Sequence, residues 1–149
     1  PVLQEYPVPP GSHPHDVVPA ADGGVWYTAQ RLGALGHLDP RNGKTRHIPL
    51  GEGSSPHGVI VGPDCSPWIT DSGLNAIVRV EAATGAITRF PLPANTPKTN
   101  LNTATFDRQG QLWFPGQVEL KNETNPFTNF DKNGIIICLT TQAVGLCEA

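Results

Sequence analysis

The feature that most restricts the fold of this chain is an internal repeat. The string PHDVV at residues 14–18 returns as PHGVI at residues 56–60, a shift of 42 residues. Trp26 and Trp68 are separated by the same distance, and Trp113 follows Trp68 by 45 residues. A fixed period of about 40 to 45 residues is typical of proteins that stack copies of one structural unit. We therefore predict three consecutive copies of such a unit.

Each copy contains four short β-prone runs separated by turn signals. In the first copy the turns are predicted at residues 22–23, near Gly33 and at residues 42–43. Four strands in about 42 residues are the content of one propeller blade. A β-sandwich would also have short strands, but it would not repeat the same Trp and Pro-His at a fixed phase. The sequence thus predicts an all-β fold, a partial β-propeller of about three four-stranded blades.

The composition agrees with this fold and excludes several classes of partner. The chain has 16 glycines and 16 prolines, which break helices and favour short strands with tight turns. Only 15% of the residues are charged, and the net charge of −3 comes without any run of Lys or Arg. The basic surface of a nucleic-acid or anionic-membrane binder is therefore missing. The longest apolar run, Ile135–Leu139, is too short to span a bilayer.

The repeat does not extend over the whole chain. We predict propeller blades over residues 1–117 and a divergent C-terminal tail over residues 118–149, because the tail has no Trp and no Pro-His pair. The three tryptophans are predicted to take the same place between successive blades, where stacking buries them. An arc of blades has open edges that a closed propeller lacks, so we also expect self-association through them.

Four motifs carry a resemblance to a known family. The strings EYPVP at residues 5–9, PHGV at 56–59, WITD at 68–71 and NAIVR at 75–79 are similar to strings that recur in each blade of the streptogramin B lyase (virginiamycin B lyase) family. The resemblance covers about residues 1–117 and implies a seven-bladed propeller. A full ring of such blades needs about 290 residues, so this chain supplies fewer than half of them. Either the tail is a divergent capping segment, or the chain is a fragment or the product of a disrupted reading frame, and we favour the latter two.

The resemblance also implies a chemistry and a set of site residues. Enzymes of this family confer antibiotic resistance by linearising a cyclic depsipeptide through Mg²⁺-dependent elimination across its ester bond. Elimination needs a base for the proton α to a carbonyl and a cation for the enolate charge. By resemblance, His57 takes the position of the catalytic base and Asp71 that of a metal ligand. His15, one blade earlier, and Asn102, at the Pro-His position of the third copy, take substrate-binding positions.

Two departures from the family pattern argue against catalysis. Ser55 stands where the family has the first metal-ligating acid, and a hydroxyl cannot replace the charge of a carboxylate. In the first copy the two metal-ligand positions hold His13 and Ala29. The resemblance therefore implies a carbon-oxygen lyase-like propeller that is inactive or incomplete. The alternative is a non-catalytic propeller module that binds a small ligand or a partner.

Each candidate residue also has a structural interpretation. His15 and His57 could satisfy turn or backbone groups of the repeat, and Asp71 could cap the turn that follows its strand. Turn roles are likewise predicted for four other aspartates, Asp16, Asp22, Asp39 and Asp64. A calcium-dependent lactonase on a similar propeller is a weaker hypothesis, because no converging set of Glu, Asn and Asp is found. The Pro-rich start and the family's exported members favour a periplasmic or secreted location over the cytoplasm.

Overall fold

The structure, a computed structural model, describes residues 1–93, 99–118 and 135–140. These residues form three antiparallel sheets that follow one another along the chain. The helical content of the described part is a single 3-10 turn at Gln30–Leu32. Within these same ranges, no helix has the length and apolar character that crossing a bilayer requires. The prediction of an all-β fold is confirmed.

The first two sheets, blade one and blade two, are four-stranded meanders of the same design. Blade one contains β1 (Pro14–Pro19), β2 (Val25–Ala29), β3 (Ala34–Asp39) and β4 (Lys44–Pro49). Blade two contains β5 (Pro56–Val61), β6 (Pro67–Asp71), β7 (Ala76–Val80) and β8 (Ile87–Pro91). Trp26 is paired with His37 in blade one as Trp68 is paired with Arg79 in blade two. The repeat in the sequence is thus a repeat of strand register.

The described strands of the third sheet follow the first three strand positions of this plan, with a divided inner strand. Its strands are β9 (Thr99–Leu101), β10 (Thr105–Phe106), β11 (Leu112–Val118) and β12 (Ile135–Leu139). Both β9 and β10 pair with β11, at opposite ends of it, so together they take the place of one inner strand. On the other edge, β12 pairs with β11 and brings Cys138 opposite Trp113. Strand β12 lies within the segment 118–149 that the sequence predicts to be a divergent tail.

An aspartate organises the turn between the first and second strands of a blade. Asp22 and Asp64 each accept a hydrogen bond from the backbone N–H two residues ahead, at 2.9 and 3.3 Å. The residue after the aspartate has a positive φ, 82° at Gly23 and 59° at Cys65. Glycine adopts this left-handed conformation without strain, whereas Cys65 holds it with a side chain present. The predicted turn is confirmed in both copies.

Apolar side chains between successive sheets form the core. We call the side of a blade that faces the preceding blade its upstream face, and the opposite side its downstream face. The cluster between blades one and two consists of Trp26, Leu35, Leu50, Val59, Ile69, Val78 and Val80. The cluster between blade two and the third sheet consists of Trp68, Ile77, Leu101, Ala104, Leu112 and Phe114. Because successive residues of a strand point to opposite sides, each blade contributes alternate residues to two different clusters.

The three tryptophans occupy one register position but differ in exposure. Trp26 and Trp68 are each 2% exposed between two sheets, whereas Trp113 is 39% exposed on the downstream face of the third sheet. Two of the indole nitrogens donate to a turn aspartate, Trp68 Nε1–H to Asp64 at 3.1 Å and Trp113 Nε1–H to Asp107 at 2.8 Å. The common position is confirmed. The predicted burial between two blades is confirmed for Trp26 and Trp68 and is wrong for Trp113.

The segment before blade one takes the place of a preceding blade's outer strand. Tyr6 and Val8 stand 42 residues before Ile48 and Leu50, which belong to the end of blade one. Val8 packs against the buried Tyr27 on the upstream face of blade one. Leu50 packs in the same way on the upstream face of blade two. Val8 therefore covers part of the upstream face of blade one.

Candidate functional site

The two histidines predicted to contact substrate meet at the start of neighbouring inner strands. His15 is the second residue of β1, and His57 is the second residue of β5. Their ring centroids are 3.9 Å apart, with the ring planes inclined by 45°. His15 is exposed and His57 is half-buried. The repeat brings them together, because it places them at equivalent points of adjacent blades whose first strands are in contact.

Blade one holds the backbone that directly follows the His57 side chain. Thr28 Oγ1 accepts a hydrogen bond from the Asp16 N–H at 3.0 Å and donates one to the carbonyl of His57 at 2.9 Å. Asp16 Oδ2 accepts a hydrogen bond from the Val59 N–H at 3.0 Å. Thr28 is fully buried, and hydrogen bonds shielded from water are electrostatically stronger. Two side chains of blade one thus fix where His57 stands relative to His15.

The surroundings of His57 favour its neutral form. Burial holds the pKa of His57 below its ordinary value of 6.5, and the electrostatic influence of the neighbouring His15 acts in the same direction, while Asp16 opposes both. Nδ1 of His57 is buried and has no hydrogen-bond partner among the described residues. A neutral imidazole can accept a proton, as a general base must. In a catalytic triad a carboxylate on Nδ1 fixes the tautomer; within the described ranges His57 has no such partner.

Asn102 lies close to the contact between blade two and the third sheet. A Cβ atom placed on Gly58, the neighbour of His57, would stand 3.0 Å from the Cα of Thr103. Asn102 itself is exposed, and its Oδ1 accepts a hydrogen bond from the Thr103 N–H at 2.8 Å. Its own N–H donates to the carbonyl of Pro115 at 3.3 Å. The side chain thus accepts a bond from the adjacent backbone, and its role as a substrate-binding residue stays a prediction.

Asp71 is a buried hydrogen-bond acceptor that joins two loops. The side chain is inaccessible to solvent. One carboxylate oxygen accepts from the Ser54 hydroxyl, and the other accepts from the backbone N–H groups of Ser55 at 2.9 Å and Leu74 at 3.0 Å. Ser54 and Ser55 precede β5, and Leu74 lies in the turn between β6 and β7. Asp71 thus ties the entry of blade two to this turn.

These residues do not fit a magnesium site. Mg²⁺ requires accessible, hard oxygen ligands in near-octahedral geometry, whereas both oxygens of Asp71 are already hydrogen-bonded. The position beside it holds Ser55, which contributes its backbone N–H, a donor, toward the carboxylate. No group of three or more His, Cys, Asp and Glu side chains arranged to hold a metal ion occurs within residues 1–93, 99–118 and 135–140. As placed, Asp71 caps a turn.

The roles of two residues of the site, Asp16 and Thr28, differ from what the sequence predicts or are not predicted by it. Asp16 was expected to be a turn residue, and this is wrong, because it bonds the neighbouring blade at Val59. Thr28 was not singled out at all. A signal was available in the repeat, since Thr70 stands 42 residues after Thr28 and accepts the same backbone hydrogen bond, from Gly58 at 2.9 Å. The bond from Thr28 to the next blade, however, requires knowledge of the packing.

Stacked four-stranded meanders whose first strands lie side by side define a segment of a β-propeller. The chain matches the model of the virginiamycin B lyase family over residues 2–138. It belongs to that family. The match extends past residue 117 and so includes part of the segment 118–149, which is predicted to be a divergent tail.

Solved structures share this fold. Virginiamycin B lyase from Staphylococcus aureus is 24% identical with a TM-score of 0.69, over 94% of this chain and 45% of that one. A streptogramin B lyase is 24% identical with a TM-score of 0.65, over 91% and 43% of the two chains. A catalytically inactive variant of the S. aureus enzyme with quinupristin is 23% identical with a TM-score of 0.66, over 95% and 46%. The chain spans less than half the length of these proteins. No curated protein sequence matches it.

Proposed function

We propose that this chain is a ligand-binding segment of a virginiamycin B lyase-type propeller that does not itself carry out Mg²⁺-dependent elimination. The observation that carries the proposal is the state of Asp71. Its carboxylate is buried with both oxygens in hydrogen bonds, and Ser55 supplies no second acid. Blade two therefore offers no set of ligands for the Mg²⁺ ion that would stabilise the enolate charge. The pair of His15 and His57 is present.

The ligand contact is proposed at His15 and His57. The exposed ring of His15 and the half-buried ring of His57 lie at the same end of two adjacent strands, and Thr28 and Asp16 keep them in register. A neutral imidazole can accept a hydrogen bond at one nitrogen and donate one at the other. Such a pair suits a ligand with amide and ester groups. A cyclic depsipeptide such as quinupristin, which accompanies one solved relative, is the first candidate.

Binding is tested by titrating quinupristin into the chain and recording heat or tryptophan fluorescence, with and without EDTA. We expect binding that is independent of Mg²⁺ and weakened by about tenfold or more in His57→Ala, which corresponds to one hydrogen bond. His13→Ala is the matched control, because His13 is exposed and stands outside the pair. Equal affinity of all three proteins, or no binding by the unmodified chain, would reject the proposed contact.

The second candidate is the lyase activity itself, which the neutral state of His57 favours. In the elimination, the base takes the proton α to the carbonyl, a carbon–carbon double bond forms and the ester C–O bond breaks to leave a carboxylic acid. The product is an isomer of the substrate, so its mass is unchanged, whereas hydrolysis would add one water. Chromatography with mass spectrometry distinguishes these results. Mg²⁺-dependent formation of an isomer that His57→Ala abolishes would replace the proposal of a non-catalytic segment.

A further inference from the structure

The two histidines of the ligand contact lie at irregular points of their inner strands. In β5 the pairing with β6 shifts between Pro56 and Gly58, and His57 falls inside this shift. The same irregularity in β1 surrounds His15. A β-bulge of this kind takes a residue out of the regular ladder and re-aims its side chain, and bulges are frequent beside functional sites. The orientation of the His57 ring is therefore a local feature of this site.

The two ring nitrogens of His57 have different surroundings. Nδ1 is buried and finds no hydrogen-bond partner within residues 1–93, 99–118 and 135–140. Because Nδ1 is already closed off from solvent, neither a ligand nor a further segment of chain can contact it in this arrangement. His57 as a whole is only half-buried. Nε2 is therefore the ring nitrogen through which His57 can contact a ligand.

This difference decides which nitrogen of the neutral ring carries the proton. A neutral imidazole has one N–H donor and one bare acceptor nitrogen, and hydrogen bonding selects between the two forms. A proton on Nδ1 would be a buried donor for which the described part of the chain offers no acceptor, and such a donor is costly. A proton on Nε2 can be shared with water or with a ligand. The bare Nδ1 then adds no hydrogen to a space that is already filled.

The same feature disfavours the charged form of His57. An imidazolium carries a proton on both nitrogens, so Nδ1 would again become a buried donor. Burial and the neighbouring His15 lower the pKa of His57, and Asp16 opposes them. In the remaining neutral form, the lone pair that a general base would use lies on Nδ1, out of reach of a substrate.

We propose that His57 is held as the neutral tautomer with its proton on Nε2, and that it binds its ligand by donating a hydrogen bond from Nε2 to a carbonyl oxygen. The proposal rests on the proposed ligand contact at His15 and His57, and it names the chemical group that His57 recognises. The ester and amide carbonyls of a cyclic depsipeptide are acceptors of this kind. A role of His57 as the base of an elimination is incompatible with it.

The tautomer is measured on the ligand-free chain of 149 residues, labelled with ¹⁵N in its five histidines. Long-range ¹H–¹⁵N correlation spectra show which nitrogen of each ring carries the proton. The signals of His57 are assigned by their disappearance in His57→Gln. At about pH 8, where an ordinary histidine is neutral, we expect a proton on Nε2 and a bare Nδ1. A proton on Nδ1, or an equal mixture of the two forms, would overturn the proposal.

The donated bond is measured by adding quinupristin to the same sample. The Nε2-bound proton of His57 should move to lower field and exchange more slowly with water, while Nδ1 stays bare. By titration calorimetry, we expect His57→Ala to bind about tenfold more weakly than the unmodified chain. His57→Gln supplies an amide N–H donor but no base, and it should bind at least about threefold more tightly than His57→Ala. His13→Ala remains the matched control.

The possible results separate this proposal from the one on which it rests. If quinupristin does not bind, the proposed ligand contact is rejected and the donated bond with it, whereas the ligand-free spectrum still decides the tautomer. If quinupristin binds but Nε2 of His57 is bare in the complex, or if His57→Gln binds as weakly as His57→Ala, the donor role is wrong. Mg²⁺-dependent formation of an isomer that requires His57 would also overturn it, because a base must present a bare Nε2.

Discussion

Blade one and blade two share one template of strands, turns and register, yet only blade two is enclosed on both faces. Val59 is buried in blade two, and its repeat partner Val17 is exposed in blade one. The residue type, the strand and the register are the same in both. The difference teaches that burial in this fold is decided by the neighbouring blade rather than by the blade's own sequence.

A second contrast concerns one buried position. Ala29 and Asp71 occupy the same place at the end of the second strand, and both are inaccessible to solvent. Blade one has only the methyl group of Ala29 at this position, so the fold of a blade does not require a carboxylate there. In blade two the carboxylate has recruited three donors from two loops. The acid to which the family resemblance assigns metal binding thus has both oxygens in hydrogen bonds within blade two.

The largest expected effect is on stability, when the buried Trp68 and the partly exposed Trp113 are each replaced by alanine. Trp68→Ala removes an indole that is 2% exposed, and we expect it to lower the free energy of unfolding by about 3–5 kcal/mol. Trp113→Ala removes an indole that is 39% exposed, and the loss should be about 1 kcal/mol when the chain is monomeric. Urea unfolding of both variants measures this. Equal losses would contradict the difference in enclosure.

The next effect tests the role of Asp71. In Asp71→Ala, the Ser54 hydroxyl and two backbone N–H groups lose their acceptor inside the protein, and we expect a loss of about 2–4 kcal/mol. Asp71→Asn keeps one acceptor oxygen and the shape of the side chain, so it should lose less. Stability of both variants is measured with and without Mg²⁺. If Mg²⁺ stabilised the unmodified chain but neither variant, Asp71 would be a metal ligand after all.

A smaller effect compares the two valines directly. Val59→Ala deletes two buried methyl groups, with an expected loss of about 2 kcal/mol. Val17→Ala, at the exposed repeat position, should change the stability of the monomer by no more than about 0.5 kcal/mol. Unfolding curves recorded at low protein concentration provide the measurement. A similar cost at both positions would show that blade one is covered in solution.

The smallest effect is a pH dependence that involves His57. The folded state holds the pKa of His57 below 6.5, so at acidic pH the unfolded chain binds more protons than the folded one. The contribution of neutral His57 to the free energy of unfolding is complete above about pH 6.5. It is lost as the pH falls toward the lowered pKa of the folded state. In His57→Gln this loss should shrink. Thermal unfolding between pH 5 and pH 8 detects it, and an unchanged pH profile in the variant would exclude His57 as its source.

The strands and their order could be predicted because the repeat fixes them locally. Alternating apolar residues, the Asp-Gly turn and the recurring Trp each determine a feature inside one blade. What could not be predicted depends on contacts between blades or loops. Asp16 looks like a turn residue until Val59 is known to lie beside it. For Asp71 the sequence allows both a metal ligand and a turn cap, and the bonds to Ser54 and Leu74 become visible only once the two loops are placed. The divided inner strand of the third sheet likewise follows from pairing with β11, which the weakened repeat there does not show.

The hydrogen bonds that Thr28 and Asp16 of blade one make to the backbone around His57 bear on how this molecule loses its structure. Stacked repeats held only by apolar contact can melt one unit at a time. Here the opening of the first unit would leave a carbonyl and an N–H of the second without partners at the moment of separation. Fraying from the first blade is thereby penalised, and the first two blades should melt in one cooperative transition.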